Sequence, residues 1–170
     1  AHDTLPFNWV MRHAAEERKD QLVTRPTRLY ETFTPYGNMM KMLSLMKSNR
    51  IASSTGTLSS GRGVYSLSAK DDTGISAMVW NYQYTSSTEN RTVLVKFKSI
   101  PPELSLTNLR LEVFLIDKNT SSFHTAGTGS LQEPNLTLIA DESPTVIGSE
   151  IHYTKQLKAN AILFFLLEPK

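Results

Sequence analysis

Apolar and polar residues alternate along most of the chain after residue 62, and the pattern is clearest between residues 63 and 82. Two apolar-rich runs there flank Asp71-Asp72-Thr73-Gly74, and these residue types form tight turns. An apolar–polar period of two indicates a strand with one buried face. Residues 64–70 and 75–82 are therefore predicted to form a β-hairpin.

The same period of two recurs down to the last residues, and no helical pattern interrupts it. In residues 92–98, Val93, Val95 and Phe97 alternate with Lys96 and Lys98. Short strands separated by Gly, Pro and Asn turns predict an antiparallel β-sandwich. The other predicted strands are residues 109–116, 135–140, 146–153 and 161–168.

The first 50 residues follow a different, helical pattern. Asn8 is either the N-cap of a helix that starts at Trp9 or part of a short strand that runs into a charged helix. Pro26 interrupts any longer helix. A clearer helix follows, with Thr34 as its N-cap and Pro35 at the favoured first position.

That second helix has a methionine-rich side. Met39, Met40, Leu43 and Met46 recur at the spacing of one helix face, and the pattern predicts that this face is buried. Met42 and Leu45 widen the same face. The resulting division is a helical segment over residues 1–50, a Ser/Gly-rich connector over residues 51–63 and a sandwich over residues 64–170.

Composition narrows the function classes only a little. The formal net charge of +2 gives no argument for nucleic acid or an anionic membrane as partner. The longest apolar run, residues 161–167, has the length of a strand and not of a membrane span. The chain begins Ala1-His2-Asp3, without an initiator Met or a signal peptide pattern, as a processed or trimmed chain would.

Side chains that bind metals or attack substrates form no recognisable motif. There is no cysteine, and His2, His13, His124 and His152 are scattered, so no metal site and no cofactor are predicted. The glycines of residues 56–63 lack the Lys-Ser/Thr that ends a phosphate-binding loop. Three glycosylation sequons occur, at Asn90, Asn119 and Asn135, and they are usable only in a eukaryotic secretory pathway.

Several segments nevertheless carry a family resemblance. They are the hairpin with its Val79-Trp80-Asn81-Tyr82 end, the run from Ile116 to His124 and the closing residues 157–164. These segments resemble the accessory β-sandwich of glycoside hydrolase family 39, the β-xylosidase and α-L-iduronidase family. Thr120-Ser121-Ser122 stands where the family has a His-Ser-Asn type of loop. Residues 34–43 are similar to the last helix of the preceding (β/α)₈ barrel, and residues 5–9 to its last strand.

The resemblance implies a role in hydrolysing O-glycosyl bonds. The family's two catalytic carboxylates lie on barrel strands, which would precede residue 1. Glu16, Glu17 and Asp141-Glu142 fit a solvated helix and a turn, so no catalytic residue is assigned in this chain. The implied partners are a carbohydrate and a second polypeptide that completes the barrel, or a homo-oligomer. The implied location is secreted, periplasmic or lysosomal, not cytoplasmic.

The aromatic side chains have two interpretations. Trp80 is either a core or interdomain packing residue, which the strand pattern favours, or part of a sugar-stacking platform with Tyr82 and Tyr84. Trp9, on the last barrel strand of the resemblance, would line the substrate pocket. The alternative to a hydrolase portion is therefore a stand-alone carbohydrate-binding or interaction module.

Overall fold

The computed structural model describes residues 35–56, 62–83, 89–102, 104, 106–121 and 136–170. The predictions for Asn8, Pro26 and the Thr34 N-cap lie outside this part of the chain. The described residues form one helix and nine strands: α1 (Pro35–Ser44), β1 (Asn49–Ile51), β2 (Arg62–Asp71), β3 (Gly74–Gln83), β4 (Arg91–Phe97), β5 (Leu109–Ile116), β6 (Thr137–Glu142), β7 (Thr145–Ile147), β8 (Glu150–Leu157) and β9 (Ile162–Pro169).

The strands form two antiparallel sheets, so the predicted sandwich class is confirmed. The larger sheet has the order β1-β2-β3-β9-β5-β6, and the smaller one has the order β4-β8-β7. Their inner faces pack together through Phe165, which meets Phe97 and Tyr153 edge-on with ring centroids 5.8 and 5.3 Å apart. This shared core continues through the inward residues of β3, β5 and β9.

The predicted hairpin is present and turns at Asp72-Thr73. Asp71 pairs with Gly74, and its carboxylate accepts hydrogen bonds from the backbone N–H and the hydroxyl of Thr73 at 2.8 and 2.6 Å. Gly74 has a φ of 153°, and a side chain there would meet the backbone of Leu167 on the neighbouring strand. Hydrogen bonding therefore explains Asp71 at this turn, and the lack of space for a side chain explains Gly74.

Both faces of β9 are covered, which explains its unbroken apolar run. Leu163, Phe165 and Leu167 point into the sandwich core, whereas Phe164 and Leu166 point to the outer face of the larger sheet. Helix α1 lies on that outer face, where Met42 joins a second buried cluster. The fold is therefore a sandwich with a third, partial layer made by the helix.

The predicted apolar face of the helix is buried only in part. Met39, Met42 and Met46 are the residues that pack on the sheet, and Met42 is fully buried. Met40 and Leu43 remain 38% and 37% exposed on another side of the helix. Because apolar residues lie nearly all round this helix, the sequence spacing alone does not select the side that meets the sheet.

Two further predictions differ from the structure at strand ends. Residues 146–153, predicted as one strand, form the hairpin of β7 and β8, because Gly148 turns the chain with a φ of 64°. Residues 135–140 were expected to form a strand, whereas β6 covers Thr137–Glu142. Asn49–Ile51 is a strand paired with β2, between the predicted helical segment and connector. The three-part domain division stays a prediction, because residues 1–34 and 57–61 are outside the described part.

Candidate functional site

Three aromatic rings gather at one corner of the outer face of the larger sheet. Tyr65 pairs with Trp80 in the register of the hairpin, and their rings are stacked with centroids 5.8 Å apart and planes 16° apart. Tyr82, two residues further along β3, meets Tyr65 edge-on at 6.2 Å. We call Tyr65, Trp80 and Tyr82 the aromatic corner.

The three rings differ in exposure. Trp80 is half-buried and packs against the cluster beneath α1, so it takes part in the packing of this face. Tyr82 is 42% exposed. An exposed ring edge or face beside two packed rings can contact the C–H face of a sugar or an apolar side chain. The corner has the composition for either kind of contact.

Tyr65 was not identified in the sequence analysis, although the sequence contains the signal. A two-residue turn at Asp72-Thr73 fixes the register of the hairpin, so counting back from the turn places Tyr65 opposite Trp80. Trp9, Tyr84 and Asn135, the other predicted site residues, lie outside the described residues. The sequon residues Asn90 and Asn119 both have exposed side chains.

A buried amide network lies beside the corner, on the inner side of the same strand. The Asn81 side-chain amide donates to the carbonyl oxygens of Glu89 and Lys158 at 2.9 and 3.1 Å, and its oxygen accepts from Gln83 at 2.8 Å. Asn160 accepts from the backbone N–H of Gln83 at 2.9 Å. The network joins β3 to the ends of β8 and β9 and so fixes the position of Tyr82 between two amide side chains.

Lys47 fastens the end of the helical segment to the hairpin turn. Its backbone N–H donates to the hydroxyl of Ser76 at 2.9 Å, and its ammonium contacts Glu168 and lies 3.9 Å from Asp71. At the other end of α1, the Asn38 amide donates to the carbonyl of Ser121 at 3.1 Å. Contacts on both sides of α1 therefore hold it in place, one to the larger sheet and one to the turn that follows β5.

The described carboxylates lie mostly in ion pairs that support the fold. Arg110 binds Asp141 through two hydrogen bonds of 2.6 and 2.7 Å, and this contact lowers the pKa of the Asp141 carboxyl. The same guanidinium lies 2.8 Å from Glu112. Hydrogen bonding to His152 lowers the pKa of Glu150. A general acid needs a raised pKa, and these contacts work in the opposite direction.

The described residues contain no group of three or more His, Asp and Glu side chains able to hold a metal ion. No helix among them is long and apolar enough to cross a membrane.

Comparison with known proteins gives a match in fold only. The structure resembles a GH39 enzyme from Xanthomonas axonopodis pv. citri, with a TM-score of 0.61 and 16% identity, over 84% of this chain and 31% of that enzyme. A xyloglucanase of glycoside hydrolase family 44 from Paenibacillus polymyxa also matches, with a TM-score of 0.39 and 13% identity over 63% of this chain and 17% of the other. No family model and no curated protein sequence matches the chain. The chain thus has a fold that occurs in part of a glycoside hydrolase and spans under a third of that enzyme.

Proposed function

We propose that this chain is the C-terminal accessory portion of a glycoside hydrolase related to family 39. In this proposal it supports a (β/α)₈ barrel that carries the catalytic carboxylate pair and lies outside the described residues. The likeness in fold to part of a GH39 enzyme supports the proposal. So does the involvement of most described acidic residues in ion pairs that support the fold.

The observation that carries the proposal is the second apolar side of α1. Met42 is buried against the sheet, while Met40 and Leu43, one turn apart, remain over one-third exposed. Apolar residues on two sides of a helix are typical of one that lies between two layers. A barrel packed on the far side of α1 would bury both residues, so α1 would be shared by the barrel and the sandwich.

Experiments on the native protein test the proposed association with a barrel. Light scattering with mass spectrometry on protein purified from its source should find the chain joined to, or associated with, a barrel-containing polypeptide that hydrolyses aryl glycosides. The double variant Met40→Glu/Leu43→Glu should weaken that association or make the joint between the two parts protease-sensitive, whereas Met40→Leu/Leu43→Met should not. A lone, stable 19.1 kDa monomer would contradict the proposal.

A second candidate, a carbohydrate-binding module, is favoured by the aromatic corner. Tyr82 is exposed beside Tyr65 and Trp80, and a ring in that position is free to stack on a sugar. Binding on a glycan array that Tyr82→Ala abolishes and Tyr82→Phe retains would support it, provided that both variants melt like the parent. Absence of binding to any glycan would remove it.

Location is a separate proposal, namely a secreted or lysosomal compartment if the source is a eukaryote. The exposed side chains of Asn90 and Asn119 support it, because a sequon must be accessible to be glycosylated. Treatment of the native protein with a glycosidase that removes N-linked glycans should reduce its mass. An unchanged mass would leave no argument for that compartment.

A further inference from the structure

The two sheets differ in width, and a groove lies beside the narrower one. Six strands face three, and β4 forms one edge of the smaller sheet. A groove of about 700 Å³ lies between β4 and the inward residues of β2 and β3. The groove lies on the opposite face of the larger sheet from α1. A partner bound in the groove is therefore independent of any domain that packs on α1.

Strand β4 and a segment that begins in β1 form the walls of this groove. Residues 91–98 line one wall without a break, and residues 51–56 line the other. Successive residues of a strand point to opposite faces, so a pocket formed by one face would be lined by alternate residues only. The unbroken series along β4 means that the groove follows the edge of that strand.

The β4 wall offers backbone hydrogen-bonding groups that no described residue uses. β4 pairs with β8 on one side, and no backbone bond joins it to another described residue on the other. In an antiparallel edge strand, every second residue points its N–H and C=O away from its one partner. The groove therefore has a row of donors and acceptors at the spacing of a strand.

The floor of the groove is made of small side chains. Ser66, Ser68 and Ala77 lie there, bordered by Val64, Ile75 and Val79. Small residues beneath an open strand edge leave space for side chains that project inward at every second position. The floor thus matches the period of an extended peptide.

The charged residues of the lining are all basic. They are Arg91, Lys96 and Lys98, and no acidic residue of the described chain lines the groove. Arg91 pairs with Glu89 at 2.8 Å and Lys98 with Glu150 at 3.4 Å. Lys96 forms no salt bridge within the described residues, although its charge also acts on Glu150. This charge favours an anionic occupant.

We propose that the groove binds an extended, acidic segment of a partner polypeptide, which adds to β4 as a fourth strand of the smaller sheet. The segment matches the seven residues of β4 in length, with small apolar side chains over Ser66 and Ser68 and carboxylates towards Lys96. Backbone hydrogen bonds supply affinity and the alternate side chains supply specificity, as in other cases of strand addition. The row of strand-spaced backbone groups favours a peptide over a glycan.

Selection from a random linear peptide library against the full chain tests the proposal. Enriched peptides should alternate small apolar and acidic residues, and they should bind in solution more weakly as salt is added. Hydrogen exchange should slow at alternate amides of β4. Methylation of the peptide nitrogens that face β4 should abolish binding, whereas methylation of the alternate nitrogens should preserve it.

Two variants place the binding in the groove. Lys96→Glu should weaken the selected peptide about tenfold or more, and the same charge change at the exposed turn residue Lys118 should leave affinity unchanged. Ser66→Leu should fill the floor and block binding while the chain keeps its cooperative melting transition. Enrichment of no acidic peptide, equal affinity for the Lys96 and Lys118 variants, or occupation of the β4 edge by a second copy or a glycan would each overturn the proposal.

Discussion

The Lys158 ammonium lies 2.9 Å from Oδ2 of Asp117 and connects the turn before β9 to the end of β5. The Asp117 side chain is only 6% exposed, and its other oxygen accepts from the backbone N–H of Asn119 at 2.7 Å. Burial alone would raise the pKa of Asp117. The contacts with Lys158 and Asn119 outweigh it, so this pKa lies below its ordinary value of 3.8.

Because of Asp117, the free energy of unfolding should fall at acid pH. Because its folded pKa lies below the unfolded one, its contribution is fully present above pH 3.8 and is lost as the pH falls through the folded pKa. Asp117→Asn should cost about 1–2 kcal/mol at pH 7, since Lys158 is partly solvated, and less at acid pH. Urea titrations between neutral and strongly acid pH measure this, with the exposed turn variant Asp72→Asn as control. Parallel pH curves for the parent and Asp117→Asn would contradict it.

Replacing Asn81 should be among the most damaging changes in this chain. Asn81→Leu removes hydrogen bonds to Glu89 and Lys158 and leaves the Gln83 amide without its acceptor in a buried site. The expected loss is about 2–4 kcal/mol in the free energy of unfolding. Gln156→Ala, at an exposed position on β8, should change it by under about 0.5 kcal/mol. Similar urea midpoints for the two variants would show that the network contributes little.

The two sides of α1 should respond differently to truncation. Met42→Ala leaves a cavity under the helix and should cost about 2–4 kcal/mol. Met40→Ala, on the exposed side, should cost under about 1 kcal/mol in the chain alone. Thermal melts of the two variants decide this. An equal loss for both would mean that Met40 is already buried by another part of this chain.

Gly74 and Gly148 both have a positive φ, so the same substitution can be compared at the two positions. At Gly74 a Cβ would meet the backbone of Leu167, which cannot move without separating β3 from β9, whereas at Gly148 the space is open. Gly148→Ala should cost about 1 kcal/mol from its φ of 64°. Gly74→Ala should cost at least about 2 kcal/mol more, because a strand must shift. Chemical denaturation of both variants tests the difference, and equal losses would point to backbone strain alone.

The sequence predicts the elements of this fold better than their arrangement. Turn chemistry at Asp71–Gly74 and alternation in β4 and β5 locate strands, because both depend on neighbouring residues. The position of β9 between β3 and β5 does not follow from any local pattern. Its apolar run shows that both faces are buried but does not identify the neighbouring strands.

The aromatic corner and the groove were predicted less completely than the strands. Their residues come from segments that are far apart in the sequence. Trp80 and Tyr82 were identified as aromatic candidates on one strand, whereas Tyr65 joins them only through the hairpin register. The groove beside β4 brings together residues 51–56, residues 91–98 and the inward side chains of β2 and β3. No single stretch of sequence contains the pattern of that groove, because its walls belong to different sheets.

The central position of β9 also determines when this chain can acquire its structure. The β2–β3 hairpin and the β5–β6 pair flank a gap that only residues 162–169 fill. During synthesis, β3 and β5 each lack a strand partner on the β9 side until residues 162–169 leave the ribosome. The larger sheet is therefore completed late and by non-local pairing. Until then, the unpaired edges of β3 and β5 are where a nascent chain would be most prone to aggregate.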